Sequence, residues 1–257
     1  MREFRIGRHT VSVYDSIEEL PMVRFHKYNK MLLIDAGIGS DIASFDAHIE
    51  KVVRYMRKGD AENASKELEN LRQNVFVVQT EQSPRNLSFA CLVAKIDGKA
   101  CDDISDEGLE RTRALLGDVK VKDYATASAE VKKKIDAELT AYFPGQFNSV
   151  EEREYYDNMK RLVVTQLEQI TDGVTEQGKD RITELQDRLV LAVKPQEFTG
   201  REAVGVRHDK QYERMCLALG MNLNVDAKAM TVMEYYVAGE FLNEMMKERQ
   251  KAASKRR

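Results

Sequence analysis

The chain of 257 residues has no tryptophan, four prolines, three cysteines and four histidines. Each scarcity excludes something. So few prolines leave room for long helices, because proline removes a backbone donor and breaks a helix interior. Cys91, Cys101 and Cys216 are odd in number and far apart, so reduced, buried thiols are expected rather than a disulfide framework. His9, His26, His48 and His208 form no i, i+4 pair and no HExxH motif. With that ligand spacing absent, no metal and no cofactor are expected. No run approaches the roughly 18 apolar residues of a membrane span. The start, MREFRIGRHTV, has no apolar signal core. A soluble protein made in a cytoplasm, without membrane contact, is expected. The net charge is only −3, whereas a dedicated nucleic-acid-binding domain is basic overall.

What is present is 42% hydrophobic and 32% charged. Mixed charge at this density suits exposed helix faces with i, i+4 pairs. The densest set of signals runs from Tyr14 to Met56. Ser16-Ile17-Glu18-Glu19 reads as a capping box, and Pro21 forces a break. Phe25, Tyr28 and Leu32 follow at helical spacing up to Ala36-Gly37-Ile38-Gly39. Ser40 or Asp41 then caps a helix whose apolar positions Ile42, Phe45, Ile49, Val52, Val53 and Met56 fit one face.

Before this unit, Phe4 and Ile6 alternate with charged residues, and Val11 and Val13 flank Ser12. Gly7-Arg8 lies between them, so a small β-hairpin arm is expected. An isolated hairpin is marginal in water. The arm either packs on the chain's own helices or adds to a sheet in another subunit. Downstream, Leu68, Leu71, Val75 and Val78 keep helical spacing, although Val75-Phe76-Val77-Val78 is also β-prone. Ser83-Pro84 starts a helix, and the run Phe89 to Ile96 is apolar nearly all round, as a buried helix would be, until Asp97-Gly98. A short helix follows Ser105 and stops at Gly117. Val131, Ile135, Leu139 and Tyr142 mark the next. Pro144-Gly145 is the clearest boundary. It divides residues 1–143, the arm plus a helical domain, from 149–257, unless the two form one continuous domain.

Ser149-Val150-Glu151-Glu152 is a second capping box. It opens a helix through Leu162, Leu167 and Ile170 to Gly173. Ile182, Leu185, Leu189 and Val193 bring the chain back, giving a long αα-hairpin. Residues 195–207 read as a connector, and a helix through Tyr212, Met215 and Leu219 ends at Gly220. Thr231-Val232-Met233-Glu234 is a third capping box. The fold expected is mainly α, about eight helices by periodicity.

No constellation carries chemistry. Gly37-Ile38-Gly39-Ser40 before a helix is the best phosphate-loop candidate. It lacks the Walker lysine, and Asp35, Asp41 and Asp46 surround it, so two glycines in a tight interhelical turn explain it better. Asp97, Asp102, Asp103, Asp106 and Glu107 invite a calcium loop. With Asp103 first, however, the twelfth position is Ala114 rather than a bidentate glutamate. No catalytic residue is expected. The Met-rich C-terminal unit, with Tyr235, Tyr236, Phe241 and Met245, is either a pliable core or an adaptable surface for another chain. Six basic residues between Lys247 and Arg257 suit a helix C-terminus and a weak contact with nucleic acid or an acidic partner.

The block SIEELPMVRFHKYNKMLLIDAGIGSDIASFDAHI, within residues 14–56, resembles virion or assembly proteins of tailed phages of Bacteroidetes, including crAss-like phages. The closing TVMEYYVAGEFL is similar to helices of phage tail-assembly chaperones. The resemblance implies a virion component with no catalytic residues to carry over. That component would be a head–tail connector or tail protein that forms an oligomeric ring with itself and other phage structural proteins. The alternative it implies is a tail-assembly chaperone or scaffold absent from the mature particle. The contact residues expected are Phe4, Ile6, Val11 and Val13 in the arm, and Tyr235, Tyr236, Phe241 and Met245 near the end.

Overall fold

The computed structural model describes residues 1–80, 84–116, 121–147, 150–192 and 194–254. Within them the chain forms ten helices and one small antiparallel sheet near the N-terminus, so the protein is mainly α. Ser83, Gly117, Ser149, Val193 and Lys255 to Arg257 lie outside the described residues, as do the side chains of the second capping box.

The sheet holds a correction. Strands β1 (Arg2–Ile6) and β2 (His9–Val13) form the expected hairpin, with Phe4 opposite Val11. The hairpin has a partner within its own chain. The run expected to stay helical to Ile96 leaves helix at Leu92, and Val93–Ile96 forms β3 on β2. Lys99–Ala100 adds a short β4. Asp97 and Gly98 both take positive φ, 50° and 80°, the requirement of the two-residue turn that matches strand twist. Asp97 also accepts a hydrogen bond from the Thr10 amide at 2.9 Å and contacts His9 Nδ1 at 2.7 Å, so this turn ties the two hairpins together. Ile6, Val11, Val13, Val93 and Ile96 are buried in one core.

Helix α1 (Met22–Ile38) runs through the middle, packing against helices on several sides. Phe25 and Tyr28 are almost wholly enclosed. The Ser16 segment does not start this helix. It makes a single turn, the amide of Leu20 bonding to the Ser16 carbonyl at 3.0 Å, before Pro21. Ser16 Oγ instead donates to Glu138 on α6 (Val121–Tyr142). Pro21 and Thr231 form an isolated bridge, and the Met22 amide bonds to the Met230 carbonyl at 2.8 Å. The core therefore draws on residues from both sides of Pro144-Gly145. It includes Val131, Ile135 and Leu139 of α6, Leu219 of α9 (Val204–Leu223) and Leu242 of α10 (Val232–Ser254).

α1 ends where expected. Gly39 takes φ 73°, and its amide bonds to the Asp35 carbonyl. Gly37 differs from expectation: it lies inside the helix and leaves room for the Phe198 ring, which an added Cβ would strike. Asp41 caps α2 (Ile42–Arg57) by accepting from the Ser44 amide at 2.8 Å. The β-prone valines belong to α3 (Ala61–Thr80), a continuous helix antiparallel to α2. Thr231 and Glu234 make the reciprocal bonds of a capping box at the start of α10. α9 runs three residues past Gly220 and ends at Asn224, which takes the left-handed conformation. The long hairpin is α7 (Val150–Thr171) and α8 (Glu176–Ala192), closed by Gln169, which accepts from the Thr175 amide at 2.7 Å.

Candidate interaction surfaces

The expected contact residues separate into groups. Ile6, Val11 and Val13 are 1% exposed or less and belong to the chain's own core. They have no surface left for another subunit, because β3 and the helices beneath already cover them. Phe4 is half-buried. Tyr235 is buried, and Tyr236 and Met245 pack partly against the core, whereas Phe241 is 57% exposed on the outer side of α10.

Tyr235 and Tyr236 also line a cleft of about 600 Å³ between α1, α9 and α10, with Phe147, Tyr212, His26 and His208. His26 is sandwiched, its ring centroid 4.4 Å from that of His208 and 4.1 Å from that of Tyr212. Its Nε2 lies 2.9 Å from Asp209 Oδ1, and Lys30 Nζ reaches the other oxygen of Asp209 at 2.5 Å. Burial lowers the His26 pKa against the pull of Asp209, and His208 adds to the lowering. The folded chain therefore resists a proton that the unfolded chain accepts near pH 6.5. Stability is complete above that pH and falls as pH drops below it. Urea unfolding at pH 7.5 and 5.5 is expected to give the lower midpoint at 5.5, with the difference reduced in His26→Gln. An unchanged difference would remove His26 as its source.

The thiols are held in their protonated form. Burial raises the pKa of Cys91 to about 12 and also raises those of Cys101 and Cys216, so their reactive thiolate forms are scarce at neutral pH. Among the described residues no cluster of His, Cys, Asp or Glu is placed to hold a metal ion. Nor is any described helix long and apolar enough to cross a membrane.

The surface unlike an ordinary monomer's is on the two helical hairpins. In α2 and α3 the enclosed residues include His48, Glu67, Asn70 and Asn74. His48 bridges Glu67 Oε2 at 2.7 Å and the Ile38 carbonyl at 2.9 Å, and Asn74 Nδ2 donates to the same carbonyl at 3.1 Å. Tyr55, Ala64 and Val77 are enclosed with them, but a stripe of other apolar residues faces the other way. Ile42 is 73% exposed and Met56 61%; Ile49, Val53, Leu68 and Val78 are exposed too. The apolar positions that periodicity places on one face of α2 are thus mostly open to solvent, with Phe45 and Val52 half-buried.

The α7–α8 hairpin encloses Leu185 of α8 and also leaves an apolar stripe outside. Tyr155, Asn158, Leu162, Thr165 and Gln169 form the more enclosed face of α7. Tyr156, Met159, Val163, Leu167 and Ile170 form a second stripe, open to solvent, with Ile170 77% exposed. Isolated exposed apolar residues are normal, but contiguous stripes mark interaction sites. No family model, curated protein or solved structure matches this chain.

Proposed function

We propose that this chain is a non-enzymatic structural protein that works by assembling with copies of itself through its helical hairpins. In the setting implied by the Ser16–Ile49 resemblance, it is a head–tail connector or tail component of a phage particle. The observation carrying this reading is the apolar stripe left open to solvent on α2 and α3 (Ile42, Ile49, Val53, Met56, Leu68 and Val78), while the polar side chains of His48, Glu67, Asn70 and Asn74 are enclosed. A solitary chain gains nothing from that arrangement, because burying apolar area is the main favourable term in folding and association. An oligomer recovers it. Mass photometry at several concentrations is expected to show oligomers that grow with concentration. A strict monomer that also fails to co-purify with particle proteins overturns the proposal. Mass spectrometry of purified particles then separates a resident component from an assembly chaperone.

A further inference from the structure

We infer that the exposed stripe of α7 in one copy packs antiparallel on the exposed stripe of α2 in the next, joining chains head to tail. This inference rests on the assembly reading above and specifies which surfaces meet.

The two stripes have the same spacing. Ile42, Phe45, Ile49, Val53 and Met56, of which Phe45 is half-buried, follow steps of three, four, four and three residues, and so do Tyr156, Met159, Val163, Leu167 and Ile170. At 3.6 residues per turn each set lies within about 80° of arc and about 21 Å of helix. Ile49 and Val163 are the midpoints. Facing the stripes antiparallel with these midpoints opposed puts Ile42 by Ile170, Phe45 by Leu167, Val53 by Met159 and Met56 by Tyr156.

Charge selects the direction. Glu50 and Arg57 flank the α2 stripe on the same rotational side as Lys160 and Asp157 flank the α7 stripe. Only antiparallel packing brings those two edges together. Glu50 then lies two residues, about 3 Å along the axis, from Lys160, and Arg57 lies equally close to Asp157. Among the described residues, none of these four makes an ion pair within its own chain. One like-charged approach, Asp46 towards Glu168, occurs near one end, where Glu168 points further round α7 from the seam. Pairing α7 with α7 instead sets Asp157 towards Glu168 of the other copy and leaves α2 uncovered. Joining α7 to α2 covers one stripe of each kind at every contact. Such a contact does not close on itself as a two-fold dimer does; it builds rings or filaments.

The test uses the full chain with one stripe disabled at a time, by Ile49→Glu on α2 or Val163→Glu on α7, followed by size-exclusion chromatography with light scattering. Both sites are exposed, and unchanged thermal melts verify folding. Each variant alone is expected to be monomeric, and an equimolar mixture is expected to form one-to-one dimers, because one intact α7 meets one intact α2. In the otherwise native chain, Glu50→Lys is expected to weaken association about threefold to tenfold at low salt, and adding Lys160→Glu is expected to restore it. A native chain that stays monomeric overturns both the assembly reading and this one. A native oligomer with an unaffected Ile49→Glu variant, or a mixture that remains monomeric, leaves assembly standing and overturns this pairing. Failure of Lys160→Glu to restore binding overturns the register.

Discussion

Arg24→Ala is expected to destabilise the fold by about 3–5 kcal/mol. Arg24 lies in the first turns of α1 with its side chain only 5% exposed. Its guanidinium donates to the Cys91 carbonyl at 3.2 Å, to the Val93 carbonyl at 3.1 Å and to the Cys101 carbonyl. Asp102, the carboxylate it approaches, is 4.0 Å away and largely exposed. Backbone carbonyls therefore satisfy most of this buried cation, with the Tyr14 ring 5.6 Å away. Two of the three carbonyls sit where α4 (Pro84–Leu92) gives way to β3, and the third follows β4. One side chain thus holds the central helix to the second hairpin. Alanine leaves those acceptors without a partner, each costing about 1–3 kcal/mol if it stays dry. Arg24→Lys is expected to recover less than half, since an ammonium lacks the planar fork that reaches several acceptors. The measurement is the urea midpoint at constant slope. A loss below about 1 kcal/mol would mean that water replaces the guanidinium and that Arg24 is not the clamp.

Glu67→Leu is expected to cost about 3 kcal/mol, and its effect should extend to assembly. Glu67 and His48 are enclosed between α2 and α3, their side chains 3% and 5% exposed. Lys51 adds a longer contact to Glu67 at 3.6 Å. Removing the carboxylate leaves His48 buried with one ring nitrogen unpaired. Replacing both, His48→Leu with Glu67→Leu, is expected to cost less than the sum of the two singles, because two apolar side chains leave fewer polar groups stranded. The double variant still loses the bond to the Ile38 carbonyl, for which Asn74 remains. Since this pair sets the mutual position of α2 and α3, Glu67→Leu should also weaken self-association without altering the outer face. Additive singles in a double-mutant cycle would show that the two side chains are not energetically coupled.

How far the sequence could be read depends on whether the signal is local. Asp41, Gly39, the Thr231–Glu234 box and the α7–α8 return are set by residues within a turn or two of each other, and all appear in the fold. The segment Val93–Ile96 is also short and apolar, and periodicity cannot separate a strand of that length from buried helix. Asp97-Gly98 was the available signal, since that dipeptide favours a two-residue hairpin turn. Taken only as a helix stop, it leaves β3 out, the arm without a partner strand, and Ile6, Val11 and Val13 free for another subunit. The cleft around His26 was not legible either, because residues about 180 positions apart build it.

The sequence by itself determined which residues share a helix face, because the 3.6-residue period fixes that before any tertiary contact exists. It thereby marked Ile42 to Met56 as one apolar stripe, whereas in α7 the residues Leu162, Leu167 and Ile170 that mark the helix fall on two faces, Leu162 on the more enclosed one. The tertiary structure decided which face points inward. His48, held by Glu67, and Asn74 gather around the end of α1, where the Ile38 carbonyl needs donors, and these hydrogen bonds fix the face of the hairpin that turns towards the protein. Periodicity cannot choose between covering an apolar stripe with the chain's own core and leaving it for another copy. Only the packing of the remaining helices makes that choice.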